Sequence, residues 1–399
     1  MQFWNRSMAR VVRALPPVAM SLLALSAAAI ARAQAPAPVD EKPPAWYDQI
    51  ELGGFIQGQF IANEASGDGV DAQGRPENTD RFEVRRARLK LTYSADPAEA
   101  VLHIDALPSG LRVLEAEVSG KLNWQGDAYT KLTAGLFRIP FGWELQESTS
   151  RHPFPERSLW ANRLFPGVRD VGARVSGAAW DEALIYQVAI QNGNPIGDSV
   201  FPGLDPNGFK DVTARVGTHV GVLRAGVSGL VGEGYLPPAE DDAETADVDE
   251  THGPIDYSRW AAGADVVLAL DVPPLGELGL YAEAVYAKNL DRSSARNLPA
   301  IVFEDDGGIE AASGEVEDRN QLGWYVGALQ HLGDLFAAGA RFDYFDRDVD
   351  ADDDQLTALT LVAHAYPADP MRLTLSYEFR FEQPAVDDNQ LWLRAQVKY

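Results

Sequence analysis

The chain has 399 residues, a formal charge of -25, a slightly polar mean hydropathy and no cysteine. So acidic a chain does not wrap nucleic acid, and without thiols it has neither a disulfide framework nor a thiolate metal centre. No metal or cofactor is expected.

In chain order, the first segment reads as an export address. Arg6, Arg10 and Arg13 form a positive start, residues 18–30 are apolar, and Ala31-Arg32-Ala33 offers the small residues that a signal peptidase reads. Cleavage is expected before Gln34, which makes residues 1–33 a signal peptide. The alternative, a retained anchor helix, is disfavoured because the apolar run falls short of the roughly 20 residues that a span needs. Loss of this peptide removes four arginines and moves the charge to about -29. Residues 34–48 follow as a proline-rich spacer without a pattern that could bury a core.

From residue 49 to residue 399 the sequence predicts strands. In residues 390–399, Leu391, Leu393, Ala395, Val397 and Tyr399 point to one side, and Trp392, Arg394, Gln396 and Lys398 to the other. The same split recurs in residues 371–381 and 335–345. It recurs in residues 113–124, where Leu114, Ala116 and Val118 oppose Glu115, Glu117 and Ser119, and in residues 86–93, where Arg86, Arg88 and Lys90 alternate with Ala87, Leu89 and Leu91. No apolar run of helix-spanning length follows Ile30, which excludes a helical transporter. Roughly sixteen segments, many near the 9–11 residues of a tilted membrane strand, predict an all-β, antiparallel transmembrane barrel. A soluble exported β-rich module is the competing architecture, since it too has one apolar and one polar face.

Tyr93, Trp124, Tyr286, Trp324, Tyr344, Tyr366, Phe381 and Tyr399 fall near strand ends, where an interfacial aromatic girdle sits. Tyr399, closing an alternating last strand, reads as the signal for the barrel-assembly machinery. Tight turns are expected at Asp96-Pro97, Gly333-Asp334 and residues 367–370. Long polar loops are expected over residues 65–80, 232–257, 289–320 and 346–355. The acidic runs 240–250 and 350–354 suit either solvated loops or divalent cations that bridge lipopolysaccharide; no calcium-loop spacing supports the second reading.

Residues 137–172 break the alternation. This stretch holds four prolines and five arginines, and Trp143, Phe154, Trp160 and Phe165 argue against disorder. A loop folded inward against the wall needs such aromatics as anchors, and it would carry charge to the narrowest part of a pore. His152 stands near Ser148 and Ser150, but no nucleophile motif accompanies it, and His103, His219, His331 and His364 occur singly. An enzyme is not expected.

The words FEVRRARLKL (residues 82–91), LFRIPFGWE (136–144), Glu156-Arg157-Ser158 and FPGVRDVGARVSG (165–177) resemble the phosphate-selective porins of the O and P type. The resemblance implies a sixteen-stranded barrel in the bacterial outer membrane, a homotrimer, and a third extracellular loop folded into the lumen. It implies passive diffusion of small hydrophilic solutes, with phosphate or other anions preferred. The constriction would then be made or bordered by Arg138, Glu144, Arg151, Glu156, Arg157, Arg163, Arg169 and Asp170. The candidate cations of the wall are Arg86, Arg88, Lys90, Lys131, Arg174, Arg215, Arg341, Arg372, Arg380 and Arg394, each of which is alternatively a structural partner of an inward acid. The sequence has no run of lysines to mark a central phosphate site. A barrel with a plugged lumen, acting as a structural or adhesive protein, remains the second reading.

Overall fold

The computed structural model describes residues 46–70, 77–124, 126–194, 205, 207–236, 255–290, 318–351, 354–381 and 389–399. The expected signal peptide, most of the spacer, the acidic run 240–250 and most of the 289–320 loop lie outside the described residues. Sixteen strands follow one another. They are β1 (Ile50–Asn63), β2 (Arg81–Ala95), β3 (Ala98–Leu107), β4 (Gly110–Asn123), β5 (Tyr129–Arg138), β6 (Arg169–Ala179), β7 (Leu184–Gln191) and β8 (Asp211–Val220). The second half comprises β9 (Leu223–Leu236), β10 (Ile255–Val272), β11 (Gly276–Lys288), β12 (Asn320–Leu332), β13 (Phe336–Asp346), β14 (Gln355–Ala365), β15 (Met371–Phe381) and β16 (Gln390–Lys398).

Each strand pairs antiparallel with its sequence neighbours, and β1 pairs with β16 from Phe55↔Lys398 to Asn63↔Gln390, which closes the barrel. Closure leaves no free edge, so every ladder group has a partner without water; this is the condition for crossing hydrocarbon with strands. Tyr399 helps to seal the seam. It exchanges backbone hydrogen bonds with Gly54, and its hydroxyl donates to the Arg88 carbonyl at 3.0 Å.

The two faces are inverted relative to a soluble sheet. Ile56, Phe82, Val118, Val227, Leu375 and Leu393 are exposed on the outside, whereas Arg88, Asp105, Arg169, Arg341, Asp343 and Arg394 are buried inside. An apolar exterior around a charged interior belongs in lipid around a polar lumen. The molecule is a transmembrane sixteen-stranded barrel, as the alternation predicts. Turns join the strands at one end, among them residues 96–97, 221–222 and 333–335; we call this the turn end. The opposite, loop end carries the long connections, except for Pro108-Ser109 between β3 and β4.

Several local expectations are corrected. The connection expected over residues 232–257 is shorter, because β9 runs to Leu236 and β10 starts at Ile255. Gly234 there is a strand residue: it pairs with Tyr257, and a Cβ would lie 2.1 Å from that ring. Leu114, expected on the lipid side, is buried at a register shift between β3 and β4. Tyr366 leaves the girdle and turns inward, with its ring 5.9 Å from His331 and 6.0 Å from His364. Arg169 and Asp170 are the first residues of β6, and Arg138 is the last of β5, so the inward loop proper is residues 139–168.

Candidate pore constriction

Residues 139–168 leave the wall because they cannot extend it. Pro140, Pro153, Pro155 and Pro166 lack ladder donors, and the apolar side chains between them need a surface. The base is pinched where Ile139 N donates to Val168 O at 2.9 Å. One helical turn, α1 (Leu159–Leu164), carries Trp160 into a cluster with Phe141 and Phe165, whose rings are 4.9 Å apart. The cluster packs on Leu230, Ala261, Val285, Tyr325 and Phe345, the inner face of β9 to β13. Glycines make recesses for it: a Cβ on Gly263 would meet the Phe141 ring at 2.8 Å, and one on Gly323 would meet the Trp160 Cβ at 2.3 Å.

Buried acids pin the first turn of the loop. Glu283 of β11 accepts from Trp143 N and Glu144 N at 3.0 and 2.8 Å and from the Tyr325 hydroxyl at 2.7 Å. Glu144 accepts from Ser158 N and Oγ, which ties the two limbs of the loop together. Glu144 therefore works as an internal strut and faces neither chamber of the lumen.

The second limb is held by its carbonyls. Gln396 donates to Ser150 O, Arg372 to His152 O, and His364 Nε2 to Pro153 O at 3.2, 3.1 and 2.8 Å. Arg394 donates to Pro155 O at 2.6 Å, and Arg341 to Glu156 O and Arg157 O at 2.9 and 3.2 Å. Bonds from charged donors are worth about 1.5–3 kcal/mol each. Arg341, Arg372 and Arg394 thus anchor the loop to β13, β15 and β16, a use that alternation alone does not reveal.

The loop packs on the inner face of β9–β13 and leaves space against β1–β6 and, toward the loop end, against β13, β15 and β16. That space includes two chambers, one of about 680 Å³ toward the turn end and one of about 610 Å³ toward the loop end, with no described lining residue in common. Between them stands a collar. Arg88 donates to Asp105 at 3.1 Å and to Thr149 of the loop at 2.8 Å. Arg138 donates to Glu115 at 2.9 Å and to Gln146 O at 2.6 Å, and Arg169 donates to Glu115 at 3.0 Å. Arg157 approaches from the loop side, with its Nε buried and without a hydrogen-bond partner among the described residues. Burial, reinforced by Arg138 and Arg88, lowers this guanidinium to about 10.

The chambers are positive although the chain is acidic. The described lining of the loop-end chamber holds eight arginines, Arg81, Arg112 and Arg380 among them, against Glu83, Asp105, Glu156, Asp343 and Glu378. The turn-end chamber has six side-chain cations, including Lys90, Lys131, Arg151, Arg174 and Lys398, against Glu51, Glu99, Glu115 and Glu117. Counted over side chains, the excess is three positive charges in the first and two in the second. Several of these cations are paired: Lys131 with Glu99, Arg174 with Glu117, Arg380 with Glu378 and Arg151 with Glu147.

Other expected residues fall elsewhere. Arg215 pairs with Asp265 on β8 and β10, and Asp170 accepts from Gly193 N; neither lines the described chambers. Arg163 is exposed on α1. His152 stacks on Trp143, and its Nε2 lies 3.2 Å from Glu147 O, while Ser148 and Ser150 share a bond with each other. Arg85, which alternation does not place on the lumen side, also faces the interior. A register shift between β1 and β2 lets Arg85 as well as Arg86 reach Glu156, and the doubled arginine in FEVRRARL was the available signal.

Comparison with known proteins identifies the architecture. No family model and no curated protein matches the sequence. Among solved structures, the in-vitro-folded trimer form of OmpT, an outer membrane protein of Vibrio cholerae, is similar at TM-score 0.57 and 10% identity, over 88% of this chain and 99% of that one. An anion-selective porin from Comamonas acidovorans is similar at TM-score 0.56 and 12% identity, over 88% and 99%. Salmonella typhi OmpF, in complex with daunomycin, is similar at TM-score 0.52 and 12% identity, over 89% and 99%. At such identities the likeness shows the fold: this chain has the barrel architecture of the outer-membrane porins.

Proposed function

We propose that the protein is a porin of the bacterial outer membrane, a water-filled channel through which small hydrophilic solutes diffuse passively, with anions preferred. The observation that carries this reading is the positive excess of both chambers within a strongly acidic chain. Guanidiniums at a narrow passage attract anions and replace part of their hydration with charge-assisted hydrogen bonds. Phosphate preference follows from the motif resemblance. A homotrimer, export through the signal peptide, assembly directed by Tyr399 and contact with lipopolysaccharide belong to the same proposal. Passage needs no catalytic group, and none is assigned.

A second reading rests on one observation. Arg88–Thr149 and Arg86–Glu156 tie the loop across the lumen to β2, and the two chambers have separate described linings. On that reading the loop plugs a structural or adhesive barrel. Planar bilayers separate the two. Discrete conductance steps are expected from the refolded barrel, whereas a folded, detergent-stable barrel that inserts without conducting assigns the loop as a plug.

A further inference from the structure

Glu156 of the inward loop sits among three guanidiniums. Arg85 reaches its two carboxylate oxygens at 3.0 and 2.8 Å, Arg86 reaches one at 3.2 Å, and Arg394 reaches the other at 2.5 Å. Arg86 and Arg394 are 5% and 4% exposed. Both are aimed from behind by neutral amides, Arg86 by Gln57 at 2.9 Å and Arg394 by Gln59 at 2.7 Å. The neighbouring acid, Glu83, is already engaged by Arg81 and Gln59. One carboxylate therefore faces three positive charges, two of them buried, beside a chamber that Arg85, Arg86 and Glu156 all line. Burial opposes the charge on Glu156, but Arg86, Arg85 and Arg394 hold its carboxyl well below the ordinary carboxylate range.

A single guanidinium suffices to hold a structural carboxylate. Three of them, two oriented by neutral amides, and left with a surplus of two charges over the one carboxylate, have the composition of an oxyanion receptor. We infer that Arg85, Arg86 and Arg394 form an oxyanion-binding site of the loop-end chamber, in which Glu156 is the resident competitor that an entering carboxylate, sulfate or phosphate displaces. Glu156 then sets selectivity. Chloride, a single spherical charge without oxygens to receive paired guanidinium donors, gains little by displacing a bidentate partner; a doubly charged oxyanion gains more. The inference rests on the channel reading only for the route by which the anion arrives, because binding itself needs no conduction.

The test is equilibrium binding of radiolabelled sulfate to the detergent-solubilised full barrel, with unlabelled phosphate and acetate as competitors to rank the oxyanions. Glu156→Gln is expected to bind sulfate at least about tenfold more tightly than the parent, since no charged group has to be expelled. Arg394→Gln in that background is expected to abolish the gain. Equal or weaker binding by Glu156→Gln, or a gain that survives Arg394→Gln, overturns the inference. If Glu156→Gln refolds poorly, refolding of it and of the Glu156→Gln, Arg394→Gln double variant in sulfate against chloride at equal ionic strength decides: rescue by sulfate of the single variant alone supports the site, and rescue of both or of neither overturns it. A parent protein that conducts nothing, with a Glu156→Gln variant that binds sulfate tightly, would sink the channel reading and leave the site standing.

Discussion

Truncation of Trp160 to alanine tests whether the inward loop is held by its aromatic cluster. The side chain is 1% exposed and packs against Phe141 and Phe165. A tryptophan buries up to about 250 Å², which at about 25 cal/mol per Å² is worth about 6 kcal/mol. Measured losses for such truncations run about 3–5 kcal/mol. The Trp160 Nε1 is buried without a partner among the described residues, so its desolvation cost of about 1–3 kcal/mol is recovered on removal. A net loss of about 3 kcal/mol shifts the docked-to-undocked ratio of the loop roughly a hundredfold. The strand ladders are untouched, so the barrel itself should remain folded in detergent. Single-channel recording should then show larger and noisier openings, and limited proteolysis should cut within residues 139–168. Conductance and protease resistance both equal to the parent's would refute the anchoring argument.

Gly323→Val should have a related effect for the opposite reason, since its Cβ would stand 2.3 Å from that of Trp160; the loop is expected to become protease-sensitive without loss of the barrel. Docking should also weaken in acid. Burial, with Arg157 beside it, holds the His152 imidazole well below its usual value, so it is neutral when docked. The undocked loop therefore binds more protons than the docked one at pH below about 6.5, and docking stability, fully present above that pH, falls as pH drops. Proteolysis of the loop at pH 5 should exceed that at pH 7.5, and His152→Gln should flatten the difference; a pH-independent cleavage rate in the parent contradicts this.

The strands were legible because lipid and lumen impose a period of two on every segment, and residues 390–399 obey it without a break. What alternation cannot register is an inserted residue. The register shifts beside Arg85 and Leu114 each changed which side chains face the lumen. The inward loop announced itself through its prolines and aromatics, but its landing place did not, because Gly263, Gly323 and Gly327 matter only for the space they leave. Arg341, Arg372 and Arg394 have the residue type and face of pore-lining cations. Their donors instead meet the carbonyls of a segment some two hundred residues away in sequence, a long-range fact that no local pattern carries.

An arginine-collared passage is proposed to make the channel of this acidic protein favour anions. The reversal potential of the refolded barrel in a planar bilayer, measured across a potassium chloride gradient, tests it most directly. A potential of the sign set by chloride is expected, moving toward zero when Arg138 and Arg157 are both replaced by glutamine. A potential of the sign set by potassium would contradict it.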